Sequence, residues 1–264
     1  MKNDRIIIAI SGSKEVGKDT TATMLEYIMS VGIGKANYVE WYRRTKVAEN
    51  YGENIIHFAD KLKDLCAQIT NLPRYYFDQH QYKDELWWIY GTEYFIGDEE
   101  IEKHNIGKNK KNYIKIESCN LLTLKDHLDS IAKSKGIPVI KLRTILQFVG
   151  TEMFRNLYDE KYWIRNTIKK AREITNEKGF CIIPDLRFES ELHSLRRACN
   201  DSGYKCIIIN IGYPDTFERN TNERGLHISE KQLKEFDYYI SNKKEKFFVL
   251  FNEVLKFYQQ SILK

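Results

Sequence analysis

Hydrophobic residues along the chain fall into short runs that alternate with amphipathic stretches. Residues 5–10 (Arg-Ile-Ile-Ile-Ala-Ile) are apolar and β-branched after the first position, a pattern typical of a strand buried on both faces of a parallel sheet. Between Lys18 and about Met29, Ala22, Leu25 and Ile28 fall on one face, which predicts a helix. The chain therefore begins with a strand, a short polar loop and a helix.

The same alternation continues to the end of the chain. Further strands are predicted at 55–58, 180–183, 206–209 and 238–240, and further helices at 60–69, 188–201 and 244–258. Strands that alternate with helices predict an α/β fold with a doubly wound parallel sheet.

Two segments interrupt this rhythm. Residues 71–135 carry scattered aromatic and charged residues, and they predict a partly helical insertion with a small hairpin around Tyr94–Ile96 and Tyr113–Ile116. Residues 212–235 form a polar segment between the fourth and fifth strands. Because no linker separates two independent halves, the sequence predicts a single domain.

Composition narrows the class of protein. The net charge of +5 is a mild surplus without one strongly basic stripe, so small phosphorylated ligands are favoured over nucleic acid. No signal peptide is evident, and no apolar run approaches the roughly 20 residues that cross a bilayer. The five cysteines include no C-x-x-C pair, which favours a reducing compartment. We therefore expect a cytoplasmic protein that does not act at a membrane.

Residues 12–18 fit the G-x-x-x-x-G-K pattern of a phosphate-binding loop. The glycines let main-chain N–H groups approach phosphate oxygens, and the following helix directs its positive end at them. Lys18 adds a mobile charge for the β- and γ-phosphates. The alternative is a chance glycine turn, but the flanking strand and helix favour the loop. The predicted ATP contacts are Gly12, Ser13, Lys14, Glu15, Val16, Gly17 and Lys18.

The residue after Lys18 departs from the pattern, which expects Ser or Thr as a Mg²⁺ ligand. Asp19 stands there, followed by Thr20. A carboxylate oxygen suits Mg²⁺, so Asp19 is a candidate metal ligand, and Thr20 is a candidate donor to the α-phosphate. The alternative for Asp19 is an acidic residue that stabilises the helix N-terminus.

A second acidic residue, Asp185, follows the predicted strand at 180–183. The carboxyl end of such a strand faces the ligand crevice of an α/β sheet, so Asp185 is a candidate for binding Mg²⁺ or the phosphate acceptor. Leu186 and Arg187 follow it, where hydrolytic ATPases place a glutamate that activates water. This favours transfer to a bound acceptor, whose phosphate Arg187 is suited to hold bidentately. The alternatives are a helix cap for Asp185 and a surface ion pair for Arg187.

Several motifs occur in an order that suggests a family. They are residues 11–22, which end in Gly-Lys-Asp-Thr-Thr-Ala; 58–63; 142–152, Leu-Arg-Thr-Ile-Leu-Gln-Phe-Val-Gly-Thr-Glu, followed by Arg155 and by 162–164; 184–188, Pro-Asp-Leu-Arg-Phe; 227–230, His-Ile-Ser-Glu; and 237–242. Together they span most of the chain, and the chain resembles the deoxynucleoside monophosphate kinases encoded by large bacteriophages. The stretch from about 81 to 135 matches none of that family's motifs.

The resemblance implies a reaction and a fold. The reaction is ATP + dNMP → dNDP + ADP with Mg²⁺. The implied P-loop kinase fold has a five-stranded parallel sheet flanked by helices, an acceptor-binding insertion at about 71–157 and a lid at about 212–235. It also implies a homodimer.

The resemblance further suggests which residues bind the acceptor. Arg143 and Arg155 are candidates for the monophosphate. On a helix through this motif Gln147 shares a face with Arg143, so it is a candidate for the base. Asp60 and Lys61 begin the helix after the second strand and are candidates as well, although Asp60 is equally suited to be an N-cap.

In the polar segment, Arg219 and Arg224 are the natural lid arginines, which would close over the phosphates and exclude water. Asn242 follows the last strand, where related kinases contact the adenine. The predicted catalytic set is therefore Lys18, Arg187, Arg219 and Arg224.

Three alternatives stay open at this point. One is a P-loop kinase of another phosphorylated small molecule, similar to dephospho-coenzyme A. Another is a regulator that binds nucleotide without turnover. The third is a nucleic-acid ATPase, which the missing glutamate after Asp185 and the modest charge disfavour.

Overall fold

In the computed structural model of the chain, the first strand begins at Ile6, and helices and further strands follow it as far as Ser261. The structure describes residues 5–13, 15–32, 37–47, 52–90, 113–115, 119–135, 139–214, 233–243 and 247–263. The chain forms two units, residues 1–58 with 164–264 and residues 59–163.

The elements, in chain order, are β1 Ile6–Ser11, α1 Lys18–Val31, α2 Tyr38–Val47, α3 Asp60–Thr70, α4 Tyr75–Asp78, α5 His80–Asp84, β2 Leu86–Tyr90, β3 Tyr113–Lys115, α6 Leu122–Lys135, β4 Val139–Lys141, α7 Leu142–Gln147, a π-helical segment Phe148–Asn156, α8 Tyr162–Lys178, β5 Phe180–Ile183, α9 Glu189–Ser202, β6 Lys205–Gly212, β7 Tyr238–Ser241 and α10 Phe247–Ser261. Among these described helices, none combines the length and the apolar character needed to cross a membrane.

The first unit is built on a parallel sheet in the order β5-β1-β6-β7. The isoleucine-rich β1 lies inside it, with Ile8 opposite both Ile182 and Ile207. Alternate residues of β1 point to opposite faces, so Ile8 packs with α1 and α10 while Ala9 packs with α8 and α9. Helices pack on both faces of the sheet, which confirms the predicted α/β architecture with a doubly wound parallel sheet.

The predicted strand at 55–58 forms a single bridge. Ile55 pairs in parallel with Ile182, and the ladder holds two main-chain hydrogen bonds, Ile56 N–H to Ile182 O at 3.0 Å and Ile182 N–H to Asn54 O at 2.8 Å. The pairing stops because Phe58 N–H donates to the carboxylate of Asp185 at 3.0 Å instead of to a strand. The described part of this sheet therefore has four strands and one bridge where five strands were expected.

The second unit, 59–163, has its own core. A three-stranded sheet in the order β3-β2-β4 packs with helices around buried side chains that include Phe77, Trp87 and Ile145. A strand is present at Tyr113–Lys115 as predicted. It pairs in parallel with β2, and since the strands of a hairpin are antiparallel, β2 and β3 do not form a hairpin. The other predicted arm, Tyr94–Ile96, lies outside the described residues.

Candidate active site

The loop from β1 to α1 has a backbone that requires glycine at two positions. Gly12 has φ +148°, and a Cβ there would collide with the carbonyl oxygen of Ile211 on β6. Gly17 occupies the N-cap of α1 in a left-handed conformation, φ 97°, with no side-chain cap. The first N–H groups of α1 are therefore not satisfied by a capping side chain, which is the arrangement that suits a bound anion.

Lys18, the first residue of α1, directs its side chain back along this loop. Its Nζ donates to the carbonyls of Gly12 at 2.9 Å and Ser13 at 2.7 Å. Burial lowers the pKa of Lys18, the nearby Arg187 lowers it further, and Asp19 and Asp185 act in the opposite direction. The structure thus brings together four of the residues predicted from the sequence, Lys18, Asp19, Asp185 and Arg187.

Two contacts distant in sequence hold the outer part of the loop. Asn242 Nδ2 donates to Val16 O at 2.8 Å, and Tyr213 Oη donates to Glu15 O at 2.9 Å. Asn242 was predicted to contact the nucleotide; its side-chain amide contacts the loop, and the contact with the nucleotide stays a prediction. Tyr213 was not predicted, although its position directly after β6, at the carboxyl end of the sheet, was a usable signal.

Asp19 lies at the start of α1 with a side chain that is 79% exposed. Its Oδ1 lies 3.2 Å from Nε2 of His57, a residue that sequence reasoning did not single out. Thr20 is exposed, and its carbonyl accepts from the hydroxyl of Thr23 at 2.9 Å. The carboxylate of Asp19 therefore faces solvent beside the loop, with an imidazole as neighbour.

Asp185 and Arg187 lie in the turn between β5 and α9. Asp185 accepts the Phe58 N–H described above, and the N–H groups of Arg187 and Phe188 donate to the carboxylate of Glu191 at 2.9 and 3.0 Å. Glu191 is 3% exposed, so it fixes the start of α9 from inside the protein. The side chain of Arg187 remains exposed.

Carboxylates near the loop are the candidates for a metal site. Within the ranges that the structure describes, no three His, Cys, Asp or Glu side chains form a group that could hold a metal ion. Asp19 and Asp185 both raise the pKa of Lys18, so both carboxylates lie close to the loop. Two carboxylates suit Mg²⁺, which binds few protein oxygens and completes its shell with water and phosphate.

The predicted acceptor residues Asp60 and Lys61 begin α3 in the second unit. Ala59 occupies the N-cap position, and Oδ1 of Asp60 accepts from Nη2 of Arg74 at 3.0 Å. The N-cap alternative for Asp60 is therefore wrong, since its carboxylate pairs with a guanidinium. Lys61 is exposed.

Arg143 and Gln147 lie on α7 and are both exposed. Nε and Nη2 of Arg143 donate to the two carboxylate oxygens of Asp84 at 2.7 and 3.0 Å, and this bidentate pair raises the pKa of Arg143. Arg155 lies near the end of the π-helical segment and is partly buried. Asp84 belongs to the stretch without family motifs, which explains why the sequence did not reveal this partner.

Three predicted residues lie outside the described part of the chain, Lys14, Arg219 and Arg224. Of the predicted lid, 212–235, the structure describes 212–214 and 233–235. The lid and its arginines therefore stay predictions.

Comparison with known proteins identifies the family. The family model described as deoxynucleotide monophosphate kinase matches residues 90–246, which are 157 of the 264 residues. The glycine-rich loop precedes the matched range. The comparison with curated proteins gave no match. Since the matched range covers more than half of the chain, this protein belongs to the deoxynucleotide monophosphate kinase family and is a transferase that phosphorylates deoxynucleoside monophosphates.

Proposed function

We propose that ATP is the phosphoryl donor of this kinase and that residues 12–18 bind its phosphates as a P-loop. The observation that carries the proposal is the conformation of Lys18, whose Nζ contacts the Gly12 and Ser13 carbonyls beside the uncapped start of α1. A phosphate at this position would receive main-chain N–H groups, the positive end of α1 and the Lys18 ammonium together. Lys14 and Thr20 are further proposed contacts, on sequence grounds.

The donor loop is held in place from outside. We assign Asn242 and Tyr213 a positioning role, because their side chains donate hydrogen bonds to the carbonyl oxygens of Val16 and Glu15. By fixing those carbonyls they orient the N–H groups of the loop towards the nucleotide. Preorganised donors of this kind stabilise charge without reorganisation during transfer.

Asp19 and Asp185 are the proposed Mg²⁺ ligands, because both carboxylates lie close to Lys18. When bound, Mg²⁺ would neutralise charge on the β- and γ-phosphates. Asp185 also has a positioning role, because its Oδ1 accepts a hydrogen bond from Phe58 N–H and so holds the end of the 54–58 segment beside the proposed site.

Phosphoryl transfer depends on positioning and charge neutralisation more than on covalent chemistry. Lys18 holds the donor, and Arg187, whose backbone is fixed by Glu191, presents an exposed guanidinium close enough to Lys18 to lower its pKa. We assign Arg187 to the transferred or acceptor phosphate. Arg219 and Arg224 are assigned to the lid, where they would exclude water as a competing acceptor.

The acceptor monophosphate is assigned to side chains of the second unit. Asp60, Lys61, Arg143, Gln147 and Arg155 are the proposed contacts, with Gln147 directed at the base. Arg143 and Gln147 are exposed on the same helix, four residues apart, which supports a shared ligand.

A substrate panel tests the proposed donor. ADP formation is measured from ATP with each deoxynucleoside and ribonucleoside monophosphate, with and without Mg²⁺, and GTP replaces ATP in a parallel series. We expect release of ADP that depends on a deoxynucleoside monophosphate and stops when EDTA removes the metal. Equal turnover with GTP, or turnover that EDTA leaves unchanged, would overturn the donor or the metal assignment.

The family match supports deoxynucleotide phosphorylation over a dephospho-coenzyme A-like substrate and over a regulator without turnover. We also propose, from the resemblance, a bacteriophage source, a cytoplasmic location and a homodimer, with no role for nucleic acid or membrane. Light scattering coupled to size exclusion tests the dimer, and a mass of 31.3 kDa, that of one chain, would exclude it.

A further inference from the structure

Three basic side chains on three different helices of the second unit lie close enough to interact electrostatically. They are Lys63 on α3, Lys83 on α5 and Arg143 on α7. The Lys63 side chain is only 16% exposed and its Nζ lies 3.0 Å from Oδ1 of Asp78, while Arg143 holds Asp84 through two hydrogen bonds.

The carboxylates around this cluster already have partners. Arg74 lies 3.0 Å from Asp60, 3.4 Å from Asp64 and 3.2 Å from Asp78, and Lys63 is a second partner of Asp78. Lys83 differs from the other three cations, because the described part of the chain places no carboxylate within ion-pair distance of its ammonium. A partly buried ammonium without an ion pair is unusual, since buried charges are normally paired.

Electrostatics agrees with this geometry. Burial, together with the neighbouring charges of Lys63 and Arg143, lowers the pKa of Lys83 to about 8. Asp78 and Asp84 act in the opposite direction but offset only part of the effect. Side chains with a pKa shifted in this way are concentrated at binding and catalytic sites.

We propose that Lys63, Lys83 and Arg143 form a binding site for a phosphate dianion, and that its occupant is the 5′-phosphate of the deoxynucleoside monophosphate. A dianion supplies the negative charge that the ammonium of Lys83 lacks. Arg143 uses Nε and Nη2 for Asp84, so its Nη1 can donate to a phosphate oxygen at the same time. This inference rests on the proposed assignment of the acceptor to the second unit, and it adds Lys63 and Lys83 to that assignment.

The site has a pH signature. Lys83 is protonated below about pH 8 and neutral above it, and the charged groups that face it are Lys63, Arg143, Asp78 and Asp84. Acceptor affinity therefore falls as the pH rises through 8, whereas an arginine at position 83 stays charged throughout.

The test compares Lys83→Met and Lys83→Arg with the control Lys141→Met. Lys141 is exposed and precedes α7, and its side chain does not cap that helix, so the control removes the same charge from a surface position. Calorimetric titration uses inorganic phosphate and the deoxynucleoside monophosphate with the highest turnover, and KM is measured for ATP and for the acceptor.

We expect Lys83→Met to raise the acceptor Kd and KM about ten- to a hundredfold, as for a lost charged hydrogen bond, with the KM for ATP within about twofold. Lys83→Arg should keep the affinity and lose its decline between pH 7 and 9, and Lys141→Met should resemble the wild type.

Unchanged acceptor Kd and KM in Lys83→Met would overturn the inference. Loss of inorganic phosphate binding without a change in acceptor KM would overturn the choice of occupant and assign the site to free phosphate. A labelling experiment on the wild-type protein covers the case in which the variant fails to fold, since the acceptor should protect Lys83 from acetic anhydride at pH 8. Binding and labelling need no turnover, so both experiments test this inference even if the proposed phosphoryl donor, ATP, is wrong.

Discussion

Lys18 holds its ammonium against two main-chain carbonyls in a partly buried position, and burial lowers its pKa. A bound phosphate reverses that effect, because the negative charge stabilises the protonated lysine. A bound phosphate would therefore stabilise the charge of Lys18 more than it would stabilise the charge of an exposed lysine.

The variant Lys18→Met removes this charge and keeps the length of the side chain. We expect kcat to fall by about 10²–10³, the usual loss for one preorganised donor, with little change in the free energy of unfolding. Steady-state ADP formation measures it. Lys170→Met, which removes an exposed lysine of α8, is the control, and a kcat within threefold of wild type in Lys18→Met would contradict the role of the loop.

Asn242→Ala tests the support of the loop. It removes the 2.8 Å hydrogen bond to Val16 O, so we expect a loss of about 1 kcal/mol in the free energy of unfolding and a rise of several-fold in the KM for ATP. The KM for the acceptor should not change. Asn176→Ala removes a comparable bond, from Tyr204 Oη at 2.8 Å, at the opposite end of the sheet, and it should leave both KM values unaltered.

At the scale of elements, β1, the loop and α1 follow from local sequence, because the apolar run, the glycines and the helical periodicity lie within about 25 consecutive residues. The 55–58 segment shows the limit of such reasoning. Its apolar residues predict a strand, and a side chain 127 positions away, Asp185, takes the N–H that would have continued the ladder. Likewise, Lys83 carries no local signal for its proposed role, since that role depends on the charges of Lys63 and Arg143 on two other helices.

Gly12→Ala tests the junction between β1 and β6. The new methyl group would collide with the Ile211 carbonyl, and alanine is strained at φ +148°, so we expect a loss of about 1–3 kcal/mol from strain alone together with loss of ATP binding. Gly32→Ala, at the end of α1, is the matched control. It also has a positive φ, +81°, but among the described residues no atom lies within 4 Å of the new Cβ, so it should cost about 1–3 kcal/mol from strain and keep the KM for ATP. Thermal unfolding and nucleotide titration measure both variants, and equal effects would show that the Ile211 contact is unimportant.

At the scale of the whole molecule, the family match covers parts of both units and leaves the glycine-rich loop outside it. The parallel sheet was predictable because its buried strands are continuous apolar runs. The core of 59–163 was not, since its three strands are short, of mixed direction and partly drawn from a segment without family motifs. The single-domain assignment, with an insertion at about 71–157, stays a prediction.

Stability should depend on pH through Glu26, a buried carboxylate that joins α1 to the 52–54 turn by accepting from the N–H groups of Gly52 at 3.2 Å and Asn54 at 2.9 Å. Burial raises its pKa above 4.5 in the folded protein. The folded state then binds the proton more tightly than the unfolded chain, so this contribution is complete below pH 4.5 and is lost as the pH rises through the folded value.

Glu26→Gln removes the titration and keeps an acceptor oxygen. We expect the free energy of unfolding of the wild type, relative to this variant, to decrease from pH 4 to 7 in denaturant titrations. A difference between wild type and Glu26→Gln that is constant with pH would contradict the assignment.

The hydrogen bonds from Lys18 to Gly12 and Ser13 have a consequence for inhibitors. A nucleotide that bound here through Lys18 would displace two carbonyl oxygens from the ammonium, so the enthalpy measured on binding would be a difference between two sets of contacts. A compound that bound the loop N–H groups and left Lys18 on its carbonyls would avoid that exchange. Its affinity would then be insensitive to the deprotonation of Lys18 at alkaline pH, which distinguishes it from a phosphate mimic.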